Sequence, residues 1–272
     1  MARLDRILSL LDSFGGGTPV ATAEQLSART GLPIATTYRY IRELSDAGLL
    51  VRLPRGYAPG PRIIEWDCMV RSHDPLLAES REVIRELVAD TGLELLLSQL
   101  YGDKIVNVHY EHSAGNAPLE LGRGRVMPLF RGSTSRVILA SMRSRQLRRL
   151  YDAHANDPDV LRIGGDWRAF SRAMADVRKQ GSAMTIGELR HRNVGIAAPI
   201  FGDANHVLGS LTLISGEARF RMFREDYLHE RVIDAAKRIT GRLAASENGA
   251  QPSVRHDGLG DAPVLAALSA SK

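Results

Sequence analysis

The apolar positions follow two rhythms. Up to about residue 91 they recur at spacings of three and four, the helical pattern; beyond it, runs that alternate or stay apolar for several residues enter as well. RLDRILSLLDSF at 3–14 places Leu4, Ile7, Leu8 and Leu11 on one side of a predicted helix. GGGTP at 15–19 stops it. A second helix is expected near Thr22, where Gln25 completes a capping-box pattern; Leu26 is its clearest core residue and Gly31 its end. A third begins around Pro33, carries Thr37, Ile41 and Leu44 on one face, and closes at Gly48. LLVRLPRGYAPG then predicts a small hairpin around Pro54-Arg55-Gly56. Residues 74–91 read as a connecting helix, with Leu76, Leu77, Val83, Ile84, Leu87 and Val88 on its apolar side.

After that the pattern is mixed. ELLLSQLYG and KIVNVHYEH predict a strand pair around Gly102-Asp103, and RVMPLF a further short strand. Helices are expected at 134–151, 167–180 and 225–246, and strands at 182–187, 194–201 and 206–215. The fold class is therefore α+β. The expected organisation is a head at 1–62, a linker and connecting helix at 63–91, a large domain at 92–246 and a disordered Ala/Ser/Gly-rich tail at 247–272.

Charge sharpens the reading of the head. The chain carries a net +5, and 32 of its 36 basic residues are arginine. Residues 1–62 hold eight arginines and five acids. If Thr37, Ile41 and Leu44 face inward, then Ala35, Thr36, Arg39, Arg42 and Glu43 face outward. Small and hydroxyl residues let a helix enter the major groove closely, and the arginines can donate to phosphate or guanine edges. The start of this helix favours a phosphate. Arg52 and Arg55 on the hairpin suit a backbone or minor-groove contact. The candidate DNA-binding set is Thr22, Pro33, Ile34, Ala35, Thr36, Tyr38, Arg39, Arg42, Arg52 and Arg55. The plainer alternative is a three-helix bundle with solvated arginines.

The residues themselves resemble a known family. GLPIATTYRYI at 31–41 resembles the turn and recognition helix of the IclR family of bacterial transcriptional regulators, GLPKSTVHRLL, with Ile34 and Ala35 in place of lysine and serine. GRGRVMPLFRGSTSRVILA (122–140), QGSAMTIGEL (180–189), NVGIAAPIF (193–201) and GSLTLISG (209–216) resemble the family's C-terminal motifs in order and spacing. Phe130 stands for its histidine and Arg136 for its lysine. The resemblance implies an N-terminal winged helix-turn-helix and a larger domain of GAF-like fold that binds a small effector. By position it implies a pocket lined by Met127, Leu129, Phe130, Gly195, Ala197, Leu213 and Ser215. Strand alternation independently puts Leu213 and Ser215 on a common face. The expected partners are double-stranded operator DNA, an aromatic or aliphatic carboxylate effector near the amides of Gly132 to Thr134, and further copies of the chain as a dimer or dimer of dimers. Family habit leans towards a repressor.

Other chemistry finds little support. His109 and Glu111 share a strand face while His112 points away, short of the three or four ligands zinc takes. Cys68 has no base beside it in sequence, and no P-loop, dinucleotide fingerprint or G-x-S-x-G occurs. No cofactor and no membrane partner are expected, and a soluble cytoplasmic protein is the default. Two readings stay open beside the regulator. One is a small-molecule sensor or enzyme whose helical head serves oligomerisation or protein contacts. The other is an architectural, sequence-blind DNA binder.

Overall fold

The computed structural model of the chain describes residues 3–15, 19–112 and 122–249. The chain divides into two units, 1–74 and 75–272.

The head contains α1 (Arg3–Asp12), α2 (Ala23–Thr30), α3 (Ile34–Asp46), and the strands β1 (Leu50–Leu53) and β2 (Gly56–Pro59). Local chemistry sets its boundaries. The Thr22 hydroxyl accepts from the Gln25 amide at 3.3 Å, and the Gln25 side chain accepts from the Thr22 amide at 2.9 Å. This capping box starts α2, and Gly31 ends it at a φ of 68°. Pro33 is the N-cap of α3, one position outside the first turn. At the far end Leu49 donates to the Leu44 carbonyl and Gly48, at a φ of 73°, donates to Ser45. That pair of bonds is the glycine-dependent Schellman stop. β1 and β2 pair antiparallel, and Tyr57 exchanges two backbone bonds with Ala21.

The expected apolar stripe of α1 is only partly used. Leu10 and Phe14 are buried, whereas Leu4 and Leu8 are exposed. The leucine-rich helix offers two stripes, and the packing of Leu10 and Phe14 with Leu26, Tyr40 and Ile41 selects one. Residues 63–91, expected to hold one connecting helix, form two: α4 (Pro61–His73) and α5 (Pro75–Thr91). Pro75 separates them by holding Asp74 extended (ψ 105°). α4 escapes a periodicity reading because no residue in it is buried. α5 instead packs into the large unit.

That unit is built on six antiparallel strands in the order β5-β4-β3-β8-β7-β6. They are β3 (Glu94–Tyr101), β4 (Lys104–Glu111), β5 (Val126–Met127), β6 (Ala183–Ile186), β7 (Asn193–Phe201) and β8 (Val207–Gly216). The strand expected at 125–130 shortens to two residues. The helix expected at 134–151 breaks at Met142–Arg143 into α6 (Ser133–Ser141) and α7 (Ser144–Ala153). An unanticipated α8 (Pro158–Ile163) precedes α9 (Trp167–Gln180). The short α10 (Glu217–Phe220) and α11 (Glu225–Gly249) close the unit. The expected disordered tail falls mostly outside the described residues; α11 runs to Gly249.

The sheet has two buried faces. Leu95, Leu97, Leu211 and Leu213 pack against α5 and α11. Ile105, Met127, Ala197 and Val207 pack with residues of α6, α7 and α9. Arg231, Arg238 and Arg242 of α11 pair with Asp90, Glu86 and Glu82 of α5 along the outside. Exposed pairs of this kind contribute about 0–1 kcal/mol each, so the apolar face carries the stability. Among the described residues no helix is long and apolar enough to cross a membrane.

Candidate functional site

The head presents one polar helix face. Ile34, Ala35, Tyr38, Arg39 and Arg42 are exposed, Thr36 is half-buried, and Thr37, Tyr40, Ile41 and Leu44 fill the core beneath. No side chain caps the start of α3. The Arg39 guanidinium lies 5.2 Å from the Tyr40 ring centre, a contact that orients it without neutralising it. Arg42 faces Asp46 at 3.9 Å, a loose pair at full exposure. Arg52 and Arg55 are exposed on the hairpin, at β1 and at the turn into β2.

Other residues of the set are already engaged. Thr22 is the capping hydroxyl of α2. Tyr38 donates to Glu24 at 2.9 Å, a bond that ties α3 to the start of α2. Glu24 is held below the usual carboxylate range by its own backbone amide, then by Thr22 and Tyr38. The same contact raises the Tyr38 phenol above its ordinary value. Glu43, on the outward side, is gripped by Arg3 through two bonds of 2.8 Å. Neither contact was legible in the sequence, because each joins residues brought together only by packing.

In the large unit a small cleft of about 30 Å³ opens beside the start of α6. Its apolar bed includes Leu96, Met127 and Ile214, and its polar rim includes Ser133, Thr134, Thr185, Glu188, Arg190 and Asn193. Of the seven expected lining residues, Met127 and Gly195 line it. Leu129, Phe130 and Ala197 belong to the packing under α6 to α9, where Phe130 meets Phe170 and His154. Leu213 faces α5 and α11. Ser215 does not line the cleft and donates to the Gly216 carbonyl.

Leu213 and Ser215 do alternate together, but the cleft takes the other phase of β8. Thr212 and Ile214 point into it, with Leu96 opposite Thr212 on β3 and Gly195 opposite Ile214 on β7. A one-residue change of phase moves every side chain to the other face. The signal was present: Ser210 and Thr212 are polar while Leu211 and Leu213 are apolar.

Several polar groups at this cleft satisfy one another. The Gly132 amide donates to Glu188 at 2.9 Å, and the Ser133 amide donates to the Thr185 hydroxyl at 3.1 Å. Arg136 donates to the second Glu188 oxygen at 2.6 Å. The hydroxyls of Thr134 and Thr212 share a bond of 2.8 Å. Thus, of the amides expected to receive a carboxylate, Gly132 already holds the protein's own and Ser133 holds a hydroxyl. Gly195 lets α6 approach closely, since a Cβ there would lie 2.7 Å from the Ser133 hydroxyl oxygen. His109 bonds Glu111 at 3.0 Å, and among the described residues no group of three or more His, Cys, Asp or Glu side chains forms a metal site.

Comparison with known proteins fits this arrangement. Residues 3–54 match the IclR helix-turn-helix domain, and residues 68–241 match the C-terminal domain of bacterial IclR transcriptional regulators. The HTH-type transcriptional regulator KipR of Bacillus subtilis is 25% identical over 230 residues, covering 83% of this chain and 90% of KipR. A solved IclR-type regulator from Silicibacter sp. TM1040 superposes with a TM-score of 0.71 at 28% identity, covering 92% of this chain and 98% of the other. An IclR homologue from Microbacterium hydrocarbonoxydans, crystallised with 4-hydroxybenzoate, shares the fold at a TM-score of 0.74 and 19% identity over 89% of this chain and 99% of its own. With one match on the helical head and another spanning most of the sheet domain, the chain belongs to the IclR family of bacterial transcriptional regulators and is a sequence-specific DNA-binding protein.

Proposed function

We propose that this regulator reads a two-fold symmetric operator with paired α3 helices and that a small carboxylate controls it from the cleft beside α6. The observation that carries the DNA face is the state of α3. Its start is uncapped, Ala35 and Thr36 near that start are small or hydroxyl, and Arg39 has no anionic partner among the described residues. Ala35 and Thr36 enter the groove, Arg39 and Arg42 reach base edges or phosphate, and Arg52 and Arg55 grip the flanking backbone. Tyr38 and Thr22 support the helix rather than read bases, since their hydroxyls are engaged.

The pairing of heads calls for a homodimer or a dimer of dimers. Exposed Ile64, Trp66, Met69 and Val70 on α4 supply an apolar surface for it. The large domain is read as GAF-like on the ground of its six-stranded antiparallel sheet with helices on both faces.

The effector is a small aromatic carboxylate, the class found in the Microbacterium homologue. Leu96, Met127 and Ile214 receive its ring once the groups at the start of α6 move aside, because the cleft of about 30 Å³ is of water size. Its carboxylate competes with Glu188 for the Gly132 amide and for Arg136. The ligand shifts DNA binding only as far as it prefers one arrangement of the protein over the other. The position of the operator sets the sign of regulation.

Selection of random duplexes by the full-length protein at near-physiological salt tests the first half. A recovered palindrome supports the reading, and recovery without sequence preference points to architectural binding. Thermal-shift titration with 4-hydroxybenzoate tests the second. A concentration-dependent stabilisation lost in Thr212→Val supports the cleft; a shift unaffected by that change places the ligand elsewhere.

A further inference from the structure

A second, larger cleft of about 410 Å³ lies in the same unit, between α6, α9, α11 and the end of β7. It shares no lining residue with the cleft beside the start of α6. Its existence follows from strand lengths. β6 pairs with β7 only as far as Ala183 opposite Ala197. Ala198, Pro199 and Phe201, beyond that point, form one wall.

This edge does not ask for another strand. Pro199 has no amide hydrogen, and the Phe201 amide already donates to Thr240 at 3.1 Å. The remaining inner surface is aliphatic: Val137 and Ala140 of α6, Val177 of α9, Ile233 and Ala236 of α11.

The rim is cationic. Arg178, Lys179 and Lys237 line it and no carboxylate does. Arg178 is spent, because it donates to the carbonyls of Ala140 and Met142 at the end of α6. The basic residues of α11 that pair across to α5 are Arg231, Arg238 and Arg242. Lys179 and Lys237 are exposed and have no partner among the described residues. The whole chain has four lysines, so half of them stand at this one rim. A lysine is a mobile point charge with three donors, suited to a single carboxylate head whose position varies.

We propose that this cleft binds a medium-chain alkyl carboxylate, with the chain against Val177, Pro199, Phe201 and Ile233 and the head between Lys179 and Lys237. Cavities of some 300–1,000 Å³ with apolar walls and a few polar anchors are of ligand-binding size. α6 and β7 each have one end in this cleft and the other in the effector cleft, through Ser133 and Gly195. A ligand here therefore touches the elements that wall the effector site, and any coupling between the two must be reciprocal.

The test is calorimetric titration of the full-length protein with sodium octanoate below its micellar concentration, with octan-1-ol as the uncharged counterpart. Saturable one-to-one octanoate binding is expected. The double variant Lys179→Ala/Lys237→Ala should weaken it at least about tenfold, and Lys179→Arg/Lys237→Arg should retain it. Octanol should bind more weakly and should not respond to either variant. No saturable octanoate binding, or binding unchanged in the alanine variant, overturns the assignment. So does a change of sedimentation in Lys179→Glu/Lys237→Glu with octanoate affinity intact, which marks the cleft as a contact between copies of the chain.

Discussion

Two helices in this molecule begin in similar ways and end up in opposite states. α3 starts after a proline, with no side chain on its first amides. α6 starts after Gly132, with a carboxylate and a hydroxyl already on its first amides. A helix start carries partial positive charge and unpaired donors wherever it occurs. At α3 no side chain covers those donors, and in the proposed reading a phosphate meets them. At α6 they are covered by Glu188 and Thr185, and Leu189 packs against Gly132 so closely that a Cβ there would sit 2.8 Å away. The difference teaches that a helix start becomes an open anion site only where tertiary structure leaves it alone. A ligand for α3 has only water to displace, whereas one for α6 must displace a built-in rival.

The sharpest way to break this comparison is to test which face of β8 lies under α6. Leu213→Ala should destabilise the large unit by about 2–5 kcal/mol, because Leu213 is buried against α5 and α11. Thr212→Val should cost less, about 1–3 kcal/mol from the Thr134 hydroxyl it strands, while changing the effector cleft. Denaturant unfolding of both variants decides it; equal losses would put the β8 assignment in error.

At α3, Arg39→Ala should weaken operator binding by about 1–3 kcal/mol, roughly 5- to 150-fold, with unchanged thermal unfolding. Fluorescence anisotropy with a selected operator reads the first and calorimetry the second. Unaltered affinity would remove α3 from the groove. At α6, Glu188→Ala should act through stability instead, at a cost of about 1–3 kcal/mol from the stranded Gly132 amide and Arg136. It should also improve binding of a small aromatic carboxylate, which no longer meets a competitor. A variant as stable as the parent would mean that Glu188 does not close that helix.

Pro33→Asp turns one helix start towards the state of the other. The new carboxylate can cap α3, but it stands where a phosphate would bind. Operator affinity should fall about two- to fivefold, the scale of a single charge at a helix terminus. Stability should barely change, because the cap offsets the lost proline constraint. An affinity rise would contradict a phosphate at this position.

The smallest effect concerns pH. Glu24 is held low by its amide, Thr22 and Tyr38, so its contribution is present above the ordinary carboxylate range and fades as pH falls through the folded value. Tyr38 is raised by Glu24, so its contribution is present below the ordinary phenol value and fades as pH rises through the folded one. Tyr38→Phe should flatten both limbs of the stability profile slightly, visible in unfolding midpoints across pH. No change in either limb would show that the bond has no weight in solution.

Much of the head was readable because its signals are local. The capping box at Thr22–Gln25, the glycine at 48 and the inward set Thr37, Ile41 and Leu44 act over a few residues, and the structure has each in place. The exposure of Arg39 and Arg42 follows directly from the 100° helical step. α4 resisted because its apolar residues are not inward-facing, and a periodicity reading looks for a buried stripe.

By itself, then, the sequence determined the order of most elements, the outward face of α3 and the family, since turn chemistry and periodicity operate at short range and motifs keep their spacing. Only the tertiary structure decided which phase of β8 faces α6, that Glu188 closes the helix 56 residues before it, and which stripe of α1 is buried. Each of these is a choice between arrangements with nearly equal local energy. Strand alternation leaves the two faces of β8 equivalent until helices cover them, and the start of α6 is open or closed only once the turn after β6 reaches it.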